Sequence, residues 1–261
     1  MTYSGYARSR KNNRSALLGE IETASSEICP YFRRSTMQSM MKARHFYFFL
    51  LFALATGGLS MGCFSNLTKK TVVYFNDFEQ DNLNGIQLLS TYGVETRRRT
   101  EMFNGSRVLG RFNNNAVILK LDSLPASEWV SVEFDLYIHD QWEGDHVRPG
   151  AGIPDIFHVS VNDQDALVTT FSNTAYKQSY PNWWPANIPS PPRGNALDTT
   201  LTGVCSMKGL PNGTSAYKFI KTFLYSGKSF KLDCRDALQP NDSLCLKSWS
   251  MDNLKITAIT N

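Results

Sequence analysis

The chain is 261 residues long, 42% hydrophobic and 19% charged, with a formal charge of +4. A charged share below the usual quarter, beside an ordinary apolar share, excludes wholesale disorder and a polytopic membrane protein. The basic surplus sits in residues 1–63, with 8 Lys or Arg against 3 Asp or Glu; residues 64–261 carry 19 against 20, so no nucleic-acid partner is expected.

Residues 1–40 are polar and show no apolar period, and they hold Arg8, Arg10, Lys11, Arg14, Arg33 and Arg34. They read either as a disordered leader or as an over-long start, the true one lying at Met37, Met40 or Met41. Residues 41–63 then follow the order of a secretory signal: Lys42 and Arg44, an uncharged apolar run over 46–59, the small residues Gly57, Gly58, Ser60 and Gly62, and Cys63. This segment resembles a bacterial lipoprotein signal, although Ser60 and Met61 depart from its usual residues. The resemblance implies a lipid on Cys63 and a membrane as partner. A rival is a signal anchor, because residues 46–67 carry no charge over 22 positions and are long enough to cross a bilayer. The sequons at Asn66, Asn104, Asn212 and Asn241 would suit such an anchored, glycosylated form. A cleaved, soluble product is the third reading. All three put the chain after residue 63 outside the cytoplasm, with 64–70 a linker and 71–261 one domain.

Within that domain residues 130–139 alternate: Val130, Val132, Phe134, Leu136 and Ile138 face one way, and Ser131, Glu133, Asp135, Tyr137 and His139 the other. Period two over ten residues is a half-buried strand. Further β-rich runs are 71–76, 107–112, 116–121, 157–161, 167–172, 217–223, 230–234 and 251–259, with a hairpin turn expected at 225–229. No helical period of useful length appears. The fold class is therefore all-β, an antiparallel two-sheet sandwich after the signal segment. Two irregular stretches interrupt it, 140–155 and the proline-rich 172–202, and a loop of thirty residues inside a compact domain is either functional or a cover.

The run from Asp135 to Gly144, the segment from Pro154 to Val161, Thr169 to Asn173 and Gln178 to Pro181 together resemble a jelly-roll domain of exported bacterial proteins, similar to concanavalin A-like lectins and glucanases. The opening residues 74–80 and closing residues 248–256 are similar to the ends of MAM-type and carbohydrate-binding jelly rolls. Asp77, Glu79 and Asp81 lie by the first strand and Asp252 in the last. The resemblance implies a structural Ca²⁺ held by an N-terminal acid and a C-terminal Asp, with Glu79 and Asp252 at the matching positions and Asp77 beside them. The alternative is that these are solvated turn carboxylates.

Glu133 and Asp135 match two places of the E-x-D-x-E strand of family-16-like glucanases, in which the outer carboxylates flank a glycosidic bond. The third place is Tyr137, which removes the obvious proton donor. Asp140, Glu143, Asp145 and Asp155, with His146 and His158, read as solvated loop charge; His139 and His158 read as outward strand residues. Trp142, Trp183, Trp184, Tyr176 and Tyr180 fall in the irregular stretches, where rings stack on the C–H faces of sugars while Asp135, Asp140 and Asn173 accept from hydroxyls. The structural alternative is that Trp183 and Trp184 pin the long loop over the sheets. Trp129 and Trp249 read as core. Cys234 and Cys245 enclose ten residues and are the expected staple, with Cys205 left over or replacing one of the two. The chain thus reads as a non-catalytic envelope lipoprotein binding a glycan, against a divergent glycan hydrolase and a purely structural, protein-binding module.

Overall fold

The computed structural model describes residues 68–90, 93–94 and 99–260. The leader, the signal segment and Cys63 lie outside the described residues. Thirteen strands are described: β1 (Lys69–Asn76), β2 (Ile86–Ser90), β3 (Gly93–Val94), β4 (Thr100–Phe103), β5 (Ser106–Phe112), β6 (Asn115–Leu121), β7 (Trp129–Asp140), β8 (Ile156–Val161), β9 (Gln164–Thr170), β10 (Asp198–Leu201), β11 (Thr214–Leu224), β12 (Phe230–Ala237) and β13 (Lys247–Thr260). They form two antiparallel sheets. One runs β10-β11-β7-β13-β5-β4 with β1 also on β13, and the other runs β3-β2-β6-β12-β8-β9.

The alternation of residues 130–138 is the frame of the first sheet. Val130, Val132, Phe134, Leu136 and Ile138 are buried against Val117, Leu119, Leu232 and Phe157 of the second sheet in one core, and the intervening residues are half-buried on the outer face. Phe134 stacks on Phe219 of β11 at 4.7 Å, and Trp249 reaches Phe157 across the core at 5.1 Å. Trp249 is core, as its strand pattern requires.

β13 is longer than either partner on its outer edge. β1 pairs with residues 254–260 and β5 with 249–251. The hand-over falls at Asp252–Asn253, where Asn253 takes a left-handed backbone (φ 53°) and the pairing of β13 with β7 slips between Asp252 and Lys255. That irregularity brings the β1–β2 loop, the start of β5 and Asp252 to one point.

Three local expectations change. Residues 225–229 are not a hairpin turn, because β11 and β12 lie in different sheets and β12 pairs with β6 and β8. The segment instead crosses the end of the sandwich, with Tyr225 N bonded to Glu128 O at 2.9 Å. The 172–202 stretch ends in a short strand, β10, on the free edge of β11. Its middle lies along β9, where Trp184 N donates to Val168 O (2.8 Å) and Tyr180 N to Thr170 O (3.2 Å), so edges that would otherwise invite pairing are closed. Third, the disulfide joins Cys205 to Cys245, with Cα atoms 5.0 Å apart, and Cys234 is a buried free thiol. Period two explains the correction: on β12 Cys234 faces the core with Phe230 and Leu232, while Cys245 lies in the surface loop before β13. Burial pushes the Cys234 thiol up, which keeps it inert. A disulfide across a 40-residue separation points to an extracellular or exported protein.

Candidate functional site

Glu133 and Asp135 project from the outer face of the first sheet, as the alternation predicts, and each is spoken for. Lys218 of β11 sits between them, its Nζ 3.1 Å from Glu133 and 2.9 Å from Asp135. Lys255 of β13 closes on Glu133 at 2.6 Å, and Asn253 Nδ2 donates to Asp135 at 2.7 Å. The Lys255 contact, outweighing burial, holds the Glu133 carboxyl below its usual range, which is opposite to what a proton donor needs. At the third place, burial with Asp252 and Asp135 nearby pushes the Tyr137 hydroxyl up to about 12.

Two residues further along the same strand the face is no longer wet. His139 was expected to point outward into solvent but is fully buried. Its ring bonds Thr214 Oγ1 at 3.1 Å and Ser250 Oγ at 2.7 Å, and Phe103 packs edge-on at 4.7 Å. Burial, helped by Arg111, lowers its pKa to about 3, so the imidazole is neutral. The segment after β10 folds back over this end: Asp140 accepts from the backbone N–H of Cys205 (3.2 Å) and Met207 (2.9 Å).

The expected solvated cluster after β7 is likewise a buried framework. Lys247 Nζ, 1% exposed, lies 2.6 Å from Glu143, 2.8 Å from Asp155 and 2.9 Å from Asp242. Arg148 adds a second cation on Asp242 at 2.8 Å. Asp145 accepts from Thr170 Oγ1 and Ser179 Oγ at 2.5 and 2.8 Å. Gly144 (φ 62°) makes the turn possible, because a Cβ there would stand 2.0 Å from Lys177 O.

The expected ring platform divides in two. Trp142 is fully buried with its Nε1 donating to Ser248 O (2.8 Å), so it is core and offers no face to a ligand. Asp140 and Asn173 are buried as well; Asn173 Nδ2 donates to Ile138 O (2.7 Å) and its Oδ1 accepts from Ser215 (2.6 Å). Tyr180 packs on Phe171 and Tyr217, and Trp184 is half-buried along β9. Trp183 remains at the surface, 45% exposed, with Lys221 Nζ 5.9 Å from its ring centroid. Tyr176 is also exposed, stacked on His146 at 3.9 Å. Trp129, expected in the core, is half-buried at the end of β7.

At the β13 hand-over, Ser106 Oγ lies 2.7 Å from Glu79 Oε1 and 3.0 Å from Asp252 Oδ2, so residues far apart in the chain do meet. Arg107 N also donates to Glu79 at 2.8 Å and holds its carboxyl below the usual range. Asp252 is 2% exposed. Burial first, then the charges of Asp135 and Glu79, raise its pKa to about 6. Asp77 is exposed and caps Glu79 N at 3.3 Å. Among the described residues, no three His, Cys, Asp or Glu side chains are grouped to hold a metal ion.

No protein-family model matches the sequence, and no curated protein matches it. Among solved structures, the chain is similar to the family 35 carbohydrate binding module from Clostridium thermocellum, at 11% identity and TM-score 0.31 over 72% of this chain and 99% of that one. It is similar to the C-terminal CBM6 of LamC from Zobellia galactanivorans, at 12% identity and TM-score 0.27 over 73% and 98%. Dimeric latent PorU from Porphyromonas gingivalis aligns at 8% identity and TM-score 0.32 over 56% of this chain, which spans 10% of the PorU chain.

Proposed function

We propose that this chain is a non-catalytic glycan-binding protein of the cell envelope, exported and held at a membrane through a lipid on Cys63. The observation that supports ligand binding is the placement of Trp183. Its ring stands in solvent while its neighbours Tyr180 and Trp184 are fixed to β9 through their backbones, so the indole is presented on a rigid support. A ring held this way meets a pyranose face without the entropy cost of ordering a loop. The ion pairs of Glu133 and Asp135 favour binding over hydrolysis, since the one nearby carboxyl with a raised pKa, Asp252, is buried out of a substrate's reach. The test is a glycan array with the full chain and Trp183→Ala. The variant should lose about tenfold in affinity, equal to about 1.4 kcal/mol, at an unchanged melting temperature. Equal binding by both proteins would remove Trp183 from the site.

For the junction of β1, β5 and β13 we propose a structural Ca²⁺ held by Glu79 and Asp252, with Asp77 acting on it only through its bond to Glu79 N. The support is geometric: two carboxylates converge on one hydroxyl, three of the six to eight hard oxygens that the ion takes. Melting the protein in Ca²⁺ and in excess chelator checks this. At calcium a hundredfold above its dissociation constant the native state should gain about 2.7 kcal/mol, and superimposable curves would sink the site.

A further inference from the structure

The end of the sandwich below Trp183 holds a groove of about 590 Å³ that none of the expected sites includes. It opens where the ends of β7 and β11 meet the β8–β9 hairpin, and its volume falls in the range of small-ligand sites. Trp129, Phe223 and Tyr225 supply ring surface, and Gln164, Asp165 and Thr222 supply polar groups. Phe223 connects the groove to the exposed tryptophan: Lys221 Nζ lies 5.9 Å from the centroid of each ring, which puts the two centroids at most twice that distance apart.

We propose that this groove seats the end of an uncharged oligosaccharide whose following residues run out over Trp183. The inference rests on the glycan-binding reading above and fixes where and what kind of glycan is held. The charge of the lining selects the ligand. Among the described residues that line it there is one carboxylate, Asp165, and no lysine or arginine, while Lys221, between Phe223 and Trp183, is tied to Ala166 O, so the floor of the groove disfavours an acidic sugar. Asp165 Oδ1 is engaged by His158 Nε2 at 2.7 Å, which holds the carboxylate in place at the rim. Rings for C–H faces beside amide, carboxylate and hydroxyl groups are what a neutral pyranose needs. An apolar ligand would leave these polar groups unsatisfied.

The rims are built before any ligand arrives. On one side the β8–β9 turn, with Asn162 and Asp163 both in the left-handed region (φ 50° and 63°), is tied down by paired backbone and side-chain bonds between Asn162 and Lys231 at 2.9 Å. On the other, Tyr225 is anchored by its N–H to Glu128 O (2.9 Å) and by its hydroxyl to Ser229 O (3.0 Å). Binding then orders little of the protein.

The experiment uses the full chain on an array of neutral and uronic-acid oligosaccharides, comparing wild type, Thr222→Trp, which adds bulk at the groove's lining, and Trp183→Ala. Thr222 is exposed, and Gln164→Ala on the opposite rim, also exposed, serves should the bulky variant fail to fold. The expected result is retention of neutral chains, at least a tenfold loss in Thr222→Trp and at least a threefold loss in Gln164→Ala, with Trp183→Ala weakening longer chains more than short ones. Wild-type affinity in Thr222→Trp and Gln164→Ala beside a loss in Trp183→Ala overturns the groove and leaves the glycan reading standing. Preference for the acidic chains overturns the assignment of ligand class. Retention of no glycan by the wild type overturns both the groove and the reading on which it rests.

Discussion

Replacing Lys247 by methionine is expected to cost about 3–5 kcal/mol, which for a domain of this size lowers the melting temperature by roughly 10 °C. The ammonium is fully buried, with carboxylate oxygens of Glu143, Asp155 and Asp242 all within 2.9 Å. Burial by itself would lower its pKa, but Asp155, Glu143 and Asp242 together outweigh this and the net shift is upward. Methionine fills the same volume and removes the charge, so three carboxylates are left with Arg148 as their strong counter-charge. Arg148 reaches Asp242 at 2.8 Å and Glu143 only at 3.6 Å. The loss is therefore a penalty for stranded negative charge more than the worth of the original pairs. A second change, Asp155→Asn in the methionine background, should recover part of it. The sign with pH follows from the raised lysine pKa: the contribution is complete at neutral pH and below the unfolded lysine's pKa, and it fades only as pH climbs through the higher folded value. Urea unfolding of the three proteins at pH 7 decides the matter. A loss under about 1 kcal/mol for Lys247→Met would mean that the carboxylates are not acting on one centre.

How far such features can be read from the chain depends on whether their cause is local. The outward and inward residues of β7 obey period two because the pleat imposes it, and that pattern also places Phe230, Leu232 and Trp249 in the core. Runs of β-branched and aromatic residues likewise locate β5, β6, β8 and β13 to within a few positions. The failures share one physical origin: a segment distant in sequence covers a surface that local pattern assigns to water. His139 has the correct side of its strand and the wrong environment, because the chain after β10 folds back over that end of the sheet. Trp142 and Asn173 carry polar neighbours that suggest a wet loop, yet both side chains are buried and donate to backbone carbonyls of distant strands, Trp142 to Ser248 O and Asn173 to Ile138 O. The strands β3, β4 and β10 are short edge strands whose pairing comes from a neighbour more than from their own sequence. Trp129 errs in the opposite direction, since a strand-end aromatic is buried only if the end is capped, and here a groove opens instead. The convergence of Glu79 and Asp252 was legible as a consequence of neighbouring terminal strands. Ser106 was not, because a lone serine beside a turn carries no signal until β5 succeeds β1 along β13.

The junction where that succession occurs should make the chelated protein less stable at pH 7.5 than at pH 4 through one carboxyl. Asp252 is buried and faces Asp135 and Glu79. Lys218 neutralises Asp135 from its far side, and the hydrogen bonds of Asn253 N–H and Ser106 only partly offset the burial. Its proton is held in the native state up to a pKa of about 6, against 3.8 for an ordinary aspartate. In that window the native chain binds more protons than the unfolded one, so stability declines as pH rises from about 4 to 6 and the decline is complete above it. A gap of two units corresponds to about 2–3 kcal/mol. Asp252→Asn keeps an oxygen for the Asn253 N–H and cannot ionise. In excess chelator it should therefore exceed the wild type in stability at pH 7.5 by most of that amount and match or fall below it at pH 4. Because every other titrating group is common to both proteins, the difference between their urea midpoints across pH isolates Asp252. A variant equally destabilised at both pH values would show that the carboxylate is stabilised in place, and that the acidic groups around it do not repel one another in the folded protein.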